Sequence, residues 1–302
     1  MKKSRGHFLE GSKSIFRFID KHRSFYRVEE MCRVLGVVRQ GFYRWLKSPE
    51  GIRKKEDKRL LPEIRKIFMK NRQIYGPKRI AKHLRKDGKK CGKTRAKRLM
   101  EEAGLKPKRR TKFKKTTNSN HSRKVSPNLV NQDFSADRAD QLWFSDIAYI
   151  QTLKGTLYLA VILDVFSRKI VGWSMQPRMK DSLVIDAFNS AWNSRRPDKG
   201  LLFHSDRGSQ YCSRNFIRVL RNRKCLQSMS STGNCYDNAI TETFFKTLRA
   251  ELTYHVSFKG RDDARKEIFS YIELFYNRKR LHSSIDYCSP EEYEYIEMKK
   301  VA

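Results

Sequence analysis

The chain has 302 residues, of which 38% are hydrophobic and 12% aromatic, so it is long enough to bury a core in two or more domains. It contains no run of about 18 apolar residues and no signal-peptide pattern, which argues against a membrane-spanning or secreted protein and favours a cytoplasmic one. Its net charge of +35 instead indicates a polyanionic partner.

The positive charge is concentrated in the first part of the chain. Residues 1–135 contain 41 Lys and Arg against 12 Asp and Glu, a net charge of +29, whereas the remainder has a net charge of +6. A field of this size attracts nucleic acid and releases its counterions. We therefore expect a nucleic-acid-binding first part and a second part with the composition of an ordinary enzyme domain.

Residues 1–50 show the pattern of a helix-turn-helix. Between Ser14 and Trp45 the apolar residues recur at helical spacing in three pieces, and Gly36 separates the second piece from the third. The third predicted helix presents Arg39 and Arg44, which are residue types that bind DNA grooves or phosphates. The alternative is a small three-helix bundle with a solvated basic face.

Residues 51–105 show the same pattern a second time. The break Tyr75-Gly76-Pro77 separates two helical stretches, and Thr94 is expected to cap a third helix. The outward side of the last two helices is densely basic, which is costly without an anionic partner. A solvated face is again the alternative. The candidate DNA contacts in this unit are Lys78, Arg79, Arg95 and Arg98.

Residues 106–135 form a basic linker with few apolar residues to bury. A segment of this composition does not build a packed core, so we expect it to lack a fixed structure by itself. When DNA is bound, Arg109 and Arg110 are expected to follow the phosphates.

Residues 136–255 change to a β-rich pattern. Three apolar runs beginning at Leu142 are joined by short turns at residues 154–155 and 167–168, which predicts an antiparallel meander. Helices then alternate with a fourth and a fifth strand. This order predicts an α/β protein with a ribonuclease-H-like catalytic core, a mixed five-stranded sheet with flanking helices, preceded by the all-α helix-turn-helix units.

Three acids in this region are singled out by the elements that carry them. Asp146 lies inside the first predicted strand, Asp206 ends the fourth, and Glu242 lies on the last helix. These places come together in a ribonuclease-H-like core, and carboxylates are ligands that Mg²⁺ prefers. Each acid also has a structural explanation, as a strand acid, a turn former or a surface residue. The polar face of the Glu242 helix also carries three candidate DNA contacts, Asn238, Lys246 and Arg249.

Residues 256–302 are predicted to form a C-terminal helical extension. An amphipathic helix begins the extension, and a basic segment follows it. This segment would either hold a phosphate through Arg278, Arg280 and His282 or simply close the fold.

Several segments together are similar to a known family. LWFSDIAYI, HSDRGSQY, DNAITETFFKTLRAE and YNRKRLHSSIDYCSP resemble the successive signatures of the OrfB-type transposases of the IS-three insertion-sequence family, whose catalytic core is similar to that of retroviral integrases. The 35 residues between Asp206 and Glu242 are the separation that is typical of the acidic triad in that group. Segments of both helix-turn-helix units are also similar to this family, so the resemblance covers nearly the whole chain.

The resemblance implies a DDE-type transposase that cleaves DNA strands and transfers a 3′-hydroxyl end of an insertion sequence to another phosphodiester. Asp146, Asp206 and Glu242 would be the catalytic residues and would hold two Mg²⁺ or Mn²⁺ ions. Lys246 and Arg249 would clamp phosphates. Three further residues would either contact the substrate or support the structure, namely His204, Gln210 and Asn238.

The implied partners are double-stranded DNA, as terminal repeats and as target, and further copies of the chain on that DNA. A helix-turn-helix and leucine-zipper protein encoded in an upstream reading frame is a further candidate partner, and a membrane is not. The expected location is the bacterial cytoplasm, in association with the nucleoid.

The residues alone leave two other functions open. A tyrosine recombinase would use an Arg and His cluster with a nucleophilic tyrosine, and Arg280, His282 and Tyr287 faintly suggest such a set. That function would leave the three acids without a role. The second alternative is a DNA-binding regulator or an inactive element protein, which metal-dependent DNA cleavage would distinguish from an enzyme.

Overall fold

A computed structural model describes residues 11–47, 51–108, 125–231 and 235–301. These residues include a five-stranded sheet with the strand order β3-β2-β1-β4-β5. Strands β1, β2 and β3 form an antiparallel meander, and β4 and β5 continue the sheet in parallel with β1. The strands span Leu142–Thr152, Gly155–Asp164, Ile170–Gln176, Leu202–Ser205 and Leu226–Met229. The predicted mixed sheet is thereby confirmed.

The helices lie before, between and after these strands. In chain order, α1 to α11 span Ser12–His22, Val28–Leu35, Arg39–Lys47, Ile52–Lys70, Pro77–Lys86, Lys93–Glu102, Asp181–Arg195, Arg214–Asn222, Ala239–Leu248, Arg261–Phe269 and Pro290–Val301. Helices α9 and α10 each continue into a π-helical turn, at Arg249–Thr253 and Ser270–Tyr276. Within the described ranges, no helix combines the length and apolar character needed to cross a membrane.

Helices α1 to α3 form a small unit around Ile19 and Phe42, both fully buried. Gly36 ends α2 with a φ of +67°, and its N–H bonds to the carbonyl of Cys32. Glycine adopts this left-handed conformation at no steric cost, so it allows the tight turn into α3. Helix α3 leaves Arg39 and Arg44 exposed, in agreement with the predicted basic face.

Helices α4 to α6 form the second helical unit, whose apolar side is continuous with the core of the sheet. Ile80 and Leu99 belong to the same buried cluster as Leu159 of β2 and Phe244 of α9. One expectation for this unit is wrong, because α6 begins at Lys93 and no side chain caps it. Gly92, in an extended conformation, occupies the cap position that was predicted for Thr94.

Residues 125–135 lie in the segment that was expected to be an unstructured linker, and they are packed against the sheet. The N–H of Leu129 donates to Ser228 Oγ at 2.9 Å, and Val130 is buried in a cluster with Phe144. The expectation is therefore wrong for these residues, because Val130 and Phe134 supply apolar side chains that pack beside Phe144 of β1. Arg109 and Arg110 lie outside the described residues.

The two faces of β1 are covered by different helices. Alternate residues of a strand point to opposite faces, so Phe144, Asp146 and Ala148 share one face. Phe144 packs with Ile240 of α9, and Ala148 belongs to the cluster that contains Phe244 of the same helix. Asp146 therefore points to the face that α9 crosses.

Helix α7 packs closely on the sheet at Gly172 of β3, and a substitution there tests this packing. A Cβ atom at this position would lie 2.5 Å from the carbonyl oxygen of Ala187 and 2.6 Å from Ala191 Cβ. We expect Gly172→Ala to lower the free energy of unfolding by about 1–3 kcal/mol, because the α7 backbone must move away. Urea unfolding of the variant measures this loss.

The matched control is Gly76→Ala, since no atom lies within 4 Å of a Cβ placed there. Its free energy of unfolding should stay within about 0.5 kcal/mol of the wild type. Equal stability of the two variants would contradict the tight approach of α7.

Candidate active site

Strand pairing places Asp146 and Asp206 side by side. Ser145 of β1 pairs with Ser205, the last residue of the parallel strand β4. Adjacent strands lie about 4.8 Å apart, so the residues that follow these two serines are neighbours across the sheet. Both acids lie on the face of Phe144 and His204, whose ring centroids are 4.6 Å apart.

Backbone N–H groups hold both carboxylates, Asp146 within β1 and Asp206 directly after β4. The N–H of Ile147 donates to Asp146 Oδ1 at 2.7 Å, and the N–H of Gly208 donates to Asp206 Oδ1 at 3.0 Å. A Cβ atom on Gly208 would itself lie 3.0 Å from Asp206 Oδ1. Glycine in the Asp-Arg-Gly turn therefore allows the backbone to approach the carboxylate closely.

The three acids share one electrostatic environment. Burial raises the pKa of Asp146 well above its ordinary value, and the negative charges of Asp206 and Glu242 raise it further. The N–H of Ile147 and the positive charge of Arg249 oppose this rise of the Asp146 pKa. The two neighbouring negative charges thus disfavour the charged form of Asp146, and a bound cation would relieve this repulsion.

Glu242 faces this cluster from α9 and is engaged by a neighbour on its own helix. Lys246 Nζ lies 3.0 Å from Glu242 Oε2, one helical turn away. Within the described ranges, no three His, Cys, Asp or Glu side chains are already close enough together to hold a metal ion. The carboxylate oxygens of the three acids are the type of donor that a hard divalent cation prefers.

A cavity of about 750 Å³ opens beside the Asp206 loop. It is lined by Lys180 before α7, by Gln210, and by Ser213 and Arg214 at the start of α8. The Gln210 side chain donates to the Met179 carbonyl at 3.1 Å, which fixes it at this wall. Gln210 therefore lines the cavity from a fixed position.

His204 supports the structure and does not face a substrate. It is fully buried, with Nδ1 2.9 Å from Ser228 Oγ and Nε2 3.3 Å from Ser230 Oγ. Burial lowers the pKa of His204 to about 4, so the ring is neutral at physiological pH. Of the two roles considered for His204, the structure favours the structural one.

Three expected DNA contacts are instead buried and need correction. Asn238 is 6% exposed, and its Oδ1 accepts a hydrogen bond from Thr241 Oγ1 at 2.5 Å. Arg280 and His282 are 4% and 7% exposed, and Arg280 binds the buried carboxylate of Glu251. All three side chains are buried with partners inside the protein, so in this structure they do not face DNA.

Two arginines of the second helical unit also face inward more than expected. Arg79 donates to the carbonyl of Leu281 at 3.0 Å, and Arg95 binds Asp57 at 2.6 Å. Arg98 binds the other Asp57 oxygen but keeps 45% of its side chain exposed. Charge density along the sequence could not reveal that Arg95 and Arg98 are paired, since their partner Asp57 is distant in sequence.

The remaining candidates lie at the surface. Lys78 Nζ is 5.2 Å from the ring centroid of Tyr287, and Arg278 is 3.5 Å from Glu291. About half of the side chain of Lys246, 49%, is exposed next to the acids. These residues, together with Arg39 and Arg44, stay as predicted DNA contacts.

Sequence reasoning missed Tyr211, which lies directly behind the acids. Its hydroxyl is 2.8 Å from Ser145 Oγ, and burial, with Asp206 and Asp146, raises its pKa well above the ordinary value. Its place five residues after Asp206 in HSDRGSQY was the available signal. Tyr211 braces the strand end that carries the candidate site.

Comparison with protein families finds three matches along the chain. Residues 136–235 match a family described as "Integrase core domain", and residues 242–298 match a second family of the same description. Residues 55–113 match a family described as "HTH-like domain".

Curated relatives match nearly end to end. The "Insertion element IS600 uncharacterized 31 kDa protein" of Shigella sonnei is 44% identical over 86% of this chain and 96% of its own. The "Transposase InsF for insertion sequence IS3A" of Escherichia coli (strain K12) is 38% identical over 92% and 97%. Among solved structures, the magnesium complex of the HTLV-2 integrase catalytic core domain (dimeric form) aligns with a TM-score of 0.40 and 16% identity, over 52% of this chain and 98% of that one.

The buried His204 predicts an acid-sensitive stability. Its folded-state pKa of about 4 lies below the ordinary 6.5, so the folded state binds fewer protons than the unfolded state. The contribution of neutral His204 to the free energy of unfolding is complete above pH 6.5. It is lost as the pH falls through 4, for a total of about 3 kcal/mol. Urea unfolding between pH 7.5 and pH 4 should show a smaller acid-side loss in His204→Gln than in the wild type.

The control is His22→Gln, which removes a histidine of α1 whose ring nitrogen Nδ1 bonds to the Phe18 carbonyl at the surface. That variant should keep the acid-side loss of the wild type. Identical pH profiles of His204→Gln and the wild type would contradict the assignment.

Proposed function

The chain belongs to the insertion-sequence transposases of the IS-three family, and we propose that Asp146, Asp206 and Glu242 form the metal-binding catalytic site of this DDE-type enzyme. The observation that carries the proposal is geometric: Asp146 and Asp206 follow two paired residues of neighbouring strands, and α9, the helix of Glu242, packs on the same face of the sheet. The reaction would be cleavage at the ends of the element and transfer of the 3′-hydroxyl to target DNA.

The three carboxylates would hold two divalent ions, Mg²⁺ or Mn²⁺. When bound, the metal would supply Lewis acidity and would stabilise charge on the attacking and leaving oxygens. The chain itself fixes Asp146 and Asp206 through the N–H groups of Ile147 and Gly208. Lys246, once released from Glu242, would bind a DNA phosphate.

DNA would be bound by basic residues of both helical units and by the surface around the acids. Arg39 and Arg44 of α3 are exposed, as expected for residues that contact a groove or phosphates. Gln210 and the basic residues of the neighbouring cavity would receive a strand beside Asp206. Copies of the chain would assemble on the terminal repeats, in the bacterial cytoplasm and with an upstream-frame protein as a further partner.

The alternative functions receive less support from the structure. A tyrosine recombinase needs an accessible arginine and histidine, whereas Arg280 and His282 are buried. Like charges near Asp146 lower the stability of the fold. A DNA-binding regulator without catalysis would have no use for this cluster of acids.

Substitution of Asp206 tests the proposed site. We expect Asp206→Asn to reduce Mg²⁺-dependent strand transfer at least about a thousandfold, because a neutral amide binds a divalent cation weakly. The assay offers full-length protein a labelled duplex that carries the ends of the element. Affinity for the same duplex should stay within about threefold of the wild type.

The matched control is Asp198→Asn, an exposed acid that pairs with Arg138 outside the site. It should transfer strands at the wild-type rate. Equal, measurable activity of Asp206→Asn and the wild type would reject the site. If neither the wild type nor Asp206→Asn cleaves DNA, the non-catalytic regulator is favoured.

Salt dependence tests the DNA-binding role of the basic surface. Counterion release makes the logarithm of the association constant fall linearly with the logarithm of salt concentration, with a slope of about −0.9 per phosphate contacted. We expect Arg44→Gln to reduce this slope by about 1 if Arg44 binds one phosphate. Fluorescence anisotropy with full-length protein at several salt concentrations measures the slope, and an unchanged slope would remove Arg44 from the DNA contacts.

A further inference from the structure

A buried charged cluster lies around Glu251, in the π-helical turn that follows α9. Arg280 donates to both of its carboxylate oxygens, from Nε to Oε2 at 2.8 Å and from Nη2 to Oε1 at 2.7 Å. The hydroxyl of Tyr271 donates to Oε2 at 2.7 Å. Glu251 and Arg280 are 7% and 4% exposed, so this paired geometry is held away from water.

Residues of the second helical unit also contact Glu251 and Leu281, the residue after Arg280. Arg79 Nη1 lies 4.0 Å from Glu251 Oε1, and Arg79 Nε donates to the carbonyl of Leu281. Tyr75 accepts from the N–H of Leu281 at 2.9 Å. Leu281 directly follows Arg280. The backbone next to Arg280 is therefore held by Arg79 and Tyr75, and its side chain is held by Glu251.

The Glu251 turn leads directly into the candidate active site. Arg249 lies in the same turn, and its charge favours the ionised form of Asp146. The turn is closed by a bond from the N–H of Tyr254 to the Arg249 carbonyl at 3.0 Å and is continuous with α9, which carries Glu242. π-Helical turns are rare and are frequently found at functional sites. Rotation of this turn would therefore move both Arg249 and Glu242.

The charges of the cluster suit positioning better than stabilisation. Arg79 and Arg280 share the single carboxylate of Glu251, while burial, together with Arg280, holds the pKa of His282 well below its ordinary value. Buried ion pairs add little net stability compared with apolar packing. A two-pronged guanidinium-carboxylate contact does fix an orientation.

We propose that Arg280 is a positioning residue for strand transfer: by holding Glu251 it sets the rotation of α9 and its π-helical turn, so that Glu242 and Arg249 face Asp146. This inference rests on the proposed role of Glu242 at the metal site. Through Arg79, the same contact joins the DNA-binding helical unit to the helix that carries Glu242.

The test is Arg280→Lys, which keeps the buried positive charge but removes the two-pronged contact. Its matched control is Arg195→Lys, because Arg195 makes an equivalent contact with Glu294, at 3.0 Å from each of two nitrogens, in another part of the fold. Full-length proteins are compared by urea unfolding, by DNA affinity, by calorimetric titration with Mn²⁺, and by the Mg²⁺ concentration at half-maximal strand transfer.

Both variants should lose stability, but only Arg280→Lys should weaken Mn²⁺ binding and raise the half-saturating Mg²⁺ concentration, by about tenfold. DNA affinity should change in neither. Tyr271→Phe, which removes one bond to Glu251, should shift the metal dependence in the same direction by a smaller factor, and it decides the question if Arg280→Lys does not fold. Equal metal dependence in Arg280→Lys, Tyr271→Phe and the wild type would overturn the proposal.

Glu242→Gln is measured in parallel, so that two failures can be told apart. Wild-type strand transfer by Glu242→Gln would refute the proposed metal site itself. An inactive Glu242→Gln beside an unaffected Arg280→Lys would refute only the positioning role of Arg280.

Discussion

The structure depends on the parallel pairing of β1 with β4, which sets two carboxylates side by side on one face of the sheet. The pairing of Ser145 with Ser205 keeps Asp146 and Asp206 close together, because each acid directly follows one residue of this pair. Burial and mutual repulsion oppose the charge of Asp146. This arrangement carries a local cost in stability, and groups with strongly shifted pKa values of this kind are typical of functional sites.

The sheet and the places of the acids could be predicted because local patterns determine them. Apolar runs with short turns specify the meander, and the fifth strand that was expected after the fourth forms at Leu226–Met229. Asp206 directly follows the last strand residue, Ser205, as expected. What the pattern did not give was the state of Glu242, whose ion pair with Lys246 depends on side-chain rotation.

The burial of the tail could not be predicted, because it depends on contacts between distant residues. Arg280 is a basic residue in a basic segment, and only the position of Glu251, 29 residues earlier, shows that its partner is internal. Arg95 and Asp57 present the same difficulty at a separation of 38 residues. Charge density predicts that a region attracts anions, but it does not identify which guanidinium groups are already paired.

The shared core between the second helical unit and the sheet has a consequence for how binding and chemistry are linked. Ile80 and Leu99 pack in one buried cluster with Phe244, two residues from Glu242 on α9. Packed cores resist small displacements, so a force on α5 or α6 from bound DNA is transmitted to the elements that they contact. The polar contacts of Arg79 and Arg280 with Glu251 add an orientation to this packing. The second helical unit and the helix that carries Glu242 therefore share one packed core, so under the proposed function the seating of DNA on α5 or α6 and the placement of Glu242 would be coupled.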